Sequence, residues 1–198
     1  IEQINSHGLT PELIESQIQN FRDGFKYADL VETASIGNGI IQTANDERKK
    51  YIDIYDEYAR THDVVKFVPA SGAATRMFKD LFDYVGSGNM NAAAETAIAN
   101  LNKFAFNVHD IADMLNKFAT LPKALIPFHK YDDGARTPLA EHLVEGSQYA
   151  TSNGIVKIHF TVSPEHRPGF EKLLSDIVPK YEKKYNANFD ITISEQKN

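Results

Sequence analysis

The sequence predicts an α/β protein: a mostly parallel sheet with helices on both faces, an N-terminal helical region before it and a helical insertion within it. Three observations carry this expectation. From residue 64 onward the order reads strand, helix, helical insertion, short strand, helix, strand, helix, strand, and such alternation builds parallel sheets. The run 155–162 alternates strictly, with Ile155, Lys157, His159 and Thr161 on one side and Val156, Ile158, Phe160 and Val162 on the other, a period of two. The stretch Val64-Val65-Lys66-Phe67-Val68 enters a loop of small residues, and Phe78, Leu81, Phe82 and Val85 follow at helical spacing.

Bulk properties narrow the class. A chain of 198 residues with 42% hydrophobic residues can bury a sizeable core. Its net charge of −6 argues against a non-specific nucleic-acid binder, which carries a basic face. There is no cysteine, so disulfides and thiolate metal sites are excluded. No apolar run approaches the roughly 18 residues of a membrane span, and the first residues lack the basic-then-apolar pattern of a signal peptide. A cytoplasmic, membrane-free protein is the expectation. Two regions are expected: an N-terminal helical region over 1–62, packed on the core, and an α/β core over 63–198 with a helical insertion at 87–120.

The elements follow in order. Residues 1–8 are polar and expected to be loose. Thr10-Pro11-Glu12 starts a helix: hydroxyl cap, proline in the first turn, acid near the positive end. Residues 36–41 read as a turn beside a short strand, and Tyr51, Ile54, Tyr55 and Tyr58 mark a helix over 45–60. Gly86-Ser87-Gly88-Asn89 ends the helix after the loop. A helical pair is expected at 90–102 and 107–119, then a strand at Ala124-Leu125-Ile126. Asp133-Gly134 marks a turn. Thr137-Pro138 and Ser163-Pro164 start two more helices, and a last strand covers 189–193.

In parallel sheets ligands sit beyond the carboxyl ends of the strands, which here points to 69–76, 163–167 and 194–198. In the first loop Gly72 permits a close backbone approach. Ala70, Ala73 and Ala74 are small enough not to block a ligand. Thr75 can cap the helix or bond a phosphate oxygen. Arg76 offers a planar fork of donors. The Walker and dinucleotide glycine patterns are absent, so a phosphate cradle and an ordinary strand-to-helix turn both fit these residues. Lys130 and Arg136 fit a clamp on a substrate phosphate or pairing with Asp132, Asp133 or Glu141. The seven histidines show no metal-ligand spacing, and no metal site is expected. Ser71 with a histidine would make a hydrolase, although Gly-x-Ser-x-Gly is missing.

The stretch Pro69 to Met77 resembles the signature loop of sugar-phosphate nucleotidyltransferases, with Ser71-Gly72, Thr75, Arg76 and Met77 matching and Ala74 standing where that family has a second glycine. Leu121-Pro122-Lys123 through Pro127 resembles their Pro-Lys segment, and the helix from Thr137-Pro138-Leu139 the one after it. Over 64–198 the order of elements is also similar. The phrases Phe67 to Ala74, Phe128-His129-Lys130 and Glu141 to Gly146 are similar to a bacterial family, domain of unknown function 4301, over nearly the whole chain.

The transferase resemblance implies a Rossmann-type, nucleotide-binding half. Backbone groups of Ala70, Ser71, Gly72, Ala73, Ala74 and Thr75 would hold the nucleotide, and Gln196 would contact the base. Arg76 and Lys123 would be catalytic, stabilising charge as pyrophosphate leaves. The ligand implied is a nucleotide or sugar phosphate. The acidic residues that hold Mg²⁺ in such enzymes lie on later strands. The 198 residues are therefore expected to be the N-terminal part of a longer protein, binding a nucleotide without turning it over and without holding a cofactor themselves. A non-catalytic domain with the same fold is the alternative.

Overall fold

The structure, a computed structural model, describes residues 1–196. The chain divides into two compact units, residues 1–52 and a larger one beginning at Asp53. In the first unit lie helices α1 (Glu2–Ser6) and α2 (Pro11–Asp23), the two-residue strands β1 (Ser35–Ile36) and β2 (Gly39–Ile40), and the start of α3 (Asn45–Thr61). The cap at Thr10 forms, its hydroxyl accepting from the Leu13 N–H at 3.3 Å. Residues 2–6, expected to be loose, make one short helical turn.

The larger unit holds β3 (Lys66–Pro69), the helices α4 (Lys79–Ser87), α5 (Ala92–Ala99) and α6 (Ile111–Phe118), then the hairpin β4 (His129–Tyr131) and β5 (Gly134–Arg136). It continues through α7 (Pro138–Tyr149), β6 (Thr151–Ser152), β7 (Ile155–Val162), α8 (Arg167–Tyr185) and β8 (Asn188–Glu195). Strand β7 is central. It runs parallel to β3 on one side, with Lys66 opposite Ile158 and Pro69 opposite Thr161. On the other side it runs parallel to β8, from Ile155 opposite Asn188 to Val162 opposite Glu195. The short β6 folds back antiparallel on the start of β7. The fold is thus mixed α/β with a parallel three-stranded core.

Alternation along β7 decides how this sheet is covered. Val156, Ile158, Phe160 and Val162 are all buried, and they pack with Val68, Leu139 and Leu143 of α7, and Phe170 and Leu174 of α8. Fully burying side chains of this size contributes about 1.5–3 kcal/mol each. Gly146 is what lets α7 lie so close: a Cβ there would stand 2.8 Å from Val156 Cγ1 and 3.1 Å from Ile158 Cδ1.

The opposite face carries Lys157, His159 and Thr161 from β7, Thr192 and Ser194 from β8, and Phe67, which is 62% exposed. Among the described residues helices α7 and α8 share one face of the sheet, and this polar set lies on the other. The reason is chemical: a polar set at every second position is stable toward water, not under a helix.

A second core lies among α4, α5 and α6, where Ala74, Phe78, Leu81, Ala94, Ile111, Met114 and Ile126 are buried. Asn91 and Asp110 cap α5 and α6, accepting from the N–H groups of Ala94 and Asp113 at 2.8 Å each. The strand expected at 124–126 is instead a 3₁₀ turn, Lys123–Leu125, closed by the Leu125 and Ile126 N–H groups on Pro122 and Lys123. This short segment spans the two cores, with Ala124 buried in the first and Ile126 in the second, and prolines at 122 and 127 bracket it. Among the described residues no helix is long and apolar enough to cross a membrane.

Candidate functional site

The carboxyl ends of β3, β7 and β8 lie side by side. The Ala70 N–H continues the β3 ladder onto Thr161 O, and the Gln196 N–H continues the β8 ladder onto Val162 O, both at 2.8 Å. Across this edge the Ser71 hydroxyl donates to Gln196 Oε1 at 2.5 Å. Residues 125 positions apart thus meet above the end of β7.

The loop after β3 is then tied to the segment before α7. Ala73 pairs with Pro122 in an isolated antiparallel bridge. The Lys123 N–H donates to Gly72 O at 3.0 Å and the Ala74 N–H to Leu121 O at 3.4 Å. Ala74 is fully buried in the second core, and its carbonyl accepts from the Met77 and Phe78 N–H groups. Its methyl is therefore anchored among helices. Gly72, Ala73, Thr75 and Arg76 are exposed. Among the described residues their N–H groups have no acceptor.

Helix α4 starts only at Lys79, with Phe78 at its cap position and no side-chain cap. Thr75 consequently does not cap a helix. Among the described residues the side chains of Thr75, Arg76 and Lys123 form no hydrogen bond or ion pair. What the arrangement offers chemically is a row of open amides, a hydroxyl and two cations close in sequence to tied backbone, the inventory that binds an oxyanion.

A metal fits poorly here. Glu195, the carboxylate at the end of β8, is paired with Arg167 at 3.3 Å, and the remaining groups are hydroxyls and amides. Magnesium prefers carboxylates with several waters. Among the described residues no group of three His, Asp or Glu is arranged to hold a metal ion.

The other cations named from the sequence lie on the β4–β5 hairpin. Arg136, with 14% of its side chain exposed, reaches Asp133 at 3.2 Å and Glu141 at 3.6 Å. Its guanidinium also lies 3.9 Å over the Tyr131 ring. Lys184 of α8 pairs with the same Asp133, and His129 Nδ1 meets Glu141 at 3.2 Å. The hydrogen bond from Lys184, then that from Arg136, holds the Asp133 carboxyl below its ordinary value. The hydrogen bond with Glu141, aided by burial, raises the Tyr131 hydroxyl. Arg136 is thereby occupied by acids, while Lys130 is exposed and unpaired among the described residues.

Two clusters escaped sequence reasoning. On the polar sheet face His159 sits between two hydroxyls, Thr192 Oγ1 at 2.7 Å and Ser194 Oγ at 2.8 Å, with the Phe67 ring stacked 5.4 Å away. Strand register alone brings these together, since 159 lies opposite 192. On the buried face Lys66, 10% exposed, pairs with Glu145 at 2.7 Å and bonds the Tyr149 hydroxyl. Glu145 also meets His142 at 3.3 Å. Hydrogen bonding from Lys66 lowers the Glu145 carboxyl. Burial, then the nearby Lys66 charge, lowers His142. Ser71 has no histidine within hydrogen-bond reach among the described residues.

A mixed α/β domain with an amide-rich loop at the ends of parallel strands is the class defined by fold and site. The sequence profile described as "Domain of unknown function (DUF4301)" matches residues 1–117 and 111–198, and the chain belongs to that family. No curated protein and no solved structure matches it significantly.

Proposed function

We propose that this chain is a nucleotidyltransferase-like domain, the nucleotide-binding half of a Rossmann-type arrangement, which binds the phosphate of a nucleotide or sugar nucleotide at 69–77. The observation that carries this reading is convergence: the Ser71–Gln196 hydrogen bond and the Gly72–Lys123 bond gather two distant segments around one loop of open amides. Open N–H groups before a helix favour an anion, and Arg76 and Lys123 supply compensating charge. In this reading Gln196, bonded to the Ser71 hydroxyl, would contact the base of a nucleotide held by the loop. The reading is of binding without turnover, with Glu195 at this strand end already paired with Arg167.

The test is titration with nucleoside triphosphates and sugar 1-phosphates, with and without Mg²⁺, followed by amide chemical shifts. Shifts concentrated at Gly72–Arg76 and Gln196, weakened about tenfold or more in Arg76→Ala, are expected. A charge-assisted hydrogen bond contributes roughly 1.5–3 kcal/mol, and about 1.4 kcal/mol is tenfold in affinity. Absence of any shift with every probe overturns the proposal.

A further inference from the structure

Register sets the polar face of the sheet in rows. Phe67, His159 and Thr192 lie side by side, and Thr161 and Ser194 form the next row toward the carboxyl ends. Successive same-face positions on a strand are about 7 Å apart. One further step along the alternation brings Ser71 and Gln196, which bond each other beside the open amides. The polar face therefore leads directly into the loop after β3, and its grouping is fixed by the pairing of three described strands.

We infer that this face is a sugar subsite: a hexose whose phosphate sits on 72–76 lies over Thr161 and Ser194 and packs its apolar side on the Phe67 ring. The inference rests on the phosphate reading of the loop given above. Charge selects the ligand. The cations Arg76 and Lys123 belong to the loop and to the segment tied to it. None of the residues in the two rows is an acid, a lysine or an arginine. Lys157, the next position back along β7, is paired with Asp63 at 2.7 Å. A ligand matched to both parts is anionic at one end and neutral and hydroxyl-rich at the other.

The hydrogen-bonding capacity of the face matches such a polyol. A neutral imidazole donates through one ring nitrogen and accepts at the other. His159 bonds Thr192 Oγ1 at 2.7 Å and Ser194 Oγ at 2.8 Å. One of these hydroxyls therefore accepts from the ring and keeps its own O–H free to donate. The other donates to the ring and keeps lone pairs free to accept. Beside them the Thr161 hydroxyl forms no hydrogen bond among the described residues. Sugar hydroxyls, each both donor and acceptor, answer all three. Phe67 belongs to neither buried core, and its exposed ring offers a flat apolar surface next to these polar groups.

The test titrates the protein separately with inorganic phosphate, glucose 1-phosphate, galactose 1-phosphate, mannose 1-phosphate and uridine monophosphate, following amide and imidazole chemical shifts. At least one hexose 1-phosphate is expected to bind about tenfold more tightly than inorganic phosphate, the gain of two neutral hydrogen bonds. It is expected to shift Phe67, His159, Thr161 and Ser194 as well as Gly72–Arg76. Phe67→Ala, His159→Ala and Ser194→Ala are each expected to cut that gain several-fold, while inorganic phosphate still shifts 72–76. Equal affinity for inorganic phosphate and every hexose 1-phosphate, with shifts at 72–76, overturns the sugar subsite and sustains the loop reading. Shifts on the polar face with uridine monophosphate and with no sugar phosphate overturn it too, as does a gain that survives all three variants. No shift at 72–76 with any probe overturns both readings. The wild-type titrations decide the matter even where a variant unfolds.

Discussion

The loop after β3 with the segment tied to it at Lys123, and the β4–β5 hairpin, both present arginine and lysine, but only the hairpin gives its arginine partners. Arg136 is enclosed, touching Asp133, Glu141 and the Tyr131 ring, with Lys184 completing the network on Asp133. Arg76 and Lys123 have open amides for neighbours in sequence and form no ion pair among the described residues. An arginine wrapped in carboxylates has its charge spent on holding a turn to a helix. An arginine left over beside unsatisfied N–H groups has it available for something that is not part of the chain. Identity of residue type says nothing about which is which; the neighbours decide.

This contrast can be broken by experiment. The largest change in stability is expected from Arg136→Ala, which strips the cation from Glu141, 16% exposed, and from Asp133. Denaturant unfolding is expected to show a loss of about 2 kcal/mol, below the ~3–5 kcal/mol of a fully buried pair because Asp133 is half exposed. The nucleotide response at 72–76 is expected to persist. Arg76→Ala inverts the pattern, with stability changed by no more than about 0.5 kcal/mol, as at ordinary surface positions, and with binding weakened about tenfold or more. Equal destabilisation by the two substitutions would erase the distinction.

Acid sharpens it further. Asp133 has its carboxyl lowered below the ordinary 3.8, so its contribution is complete above that value and is lost as pH falls from there through the lower folded value. Amide exchange in 129–136 is expected to accelerate in this window before that in 70–77, where no carboxylate is engaged. Lys123→Ala is expected to weaken nucleotide binding several-fold, with less effect at high salt. The smallest effect belongs to Lys130→Ala, within about 0.5 kcal/mol in stability, because that exposed side chain has no partner among the described residues.

How much of this was legible in the sequence depends on range. Local signals read true: Thr10 and Thr137 cap their helices, and the Val156–Val162 set is the buried side of β7. That same alternation already sets Lys157, His159 and Thr161 on the face away from α7 and α8. The run Ala124-Leu125-Ile126 looked like a strand because it is apolar, but two flanking prolines and two separate cores fold it into a turn. The hairpin strands are three residues each, too short for any period to show.

The ties that build the candidate site, Ser71 to Gln196 and Gly72 to Lys123, join residues far apart in sequence. No spacing rule encodes them. For Arg136 the sequence left a phosphate clamp and acid pairing both open. In the folded chain Arg136 meets Asp133 of the hairpin turn and Glu141 of α7, a pairing that depends on where α7 packs.

Ala74 ties the loop to more than a neighbouring segment. Its methyl is part of the packing among α4, α5 and α6, while the amides on either side of it are open. Occupancy of the loop and integrity of that helical cluster are consequently linked functions of one another. Whatever binds only the ordered loop must raise the free energy of opening α5 and α6 by RT ln(1 + L/Kd), with L its free concentration. By the same reciprocity, a cavity cut at Met114 or Ile111 reduces affinity at a site neither side chain touches.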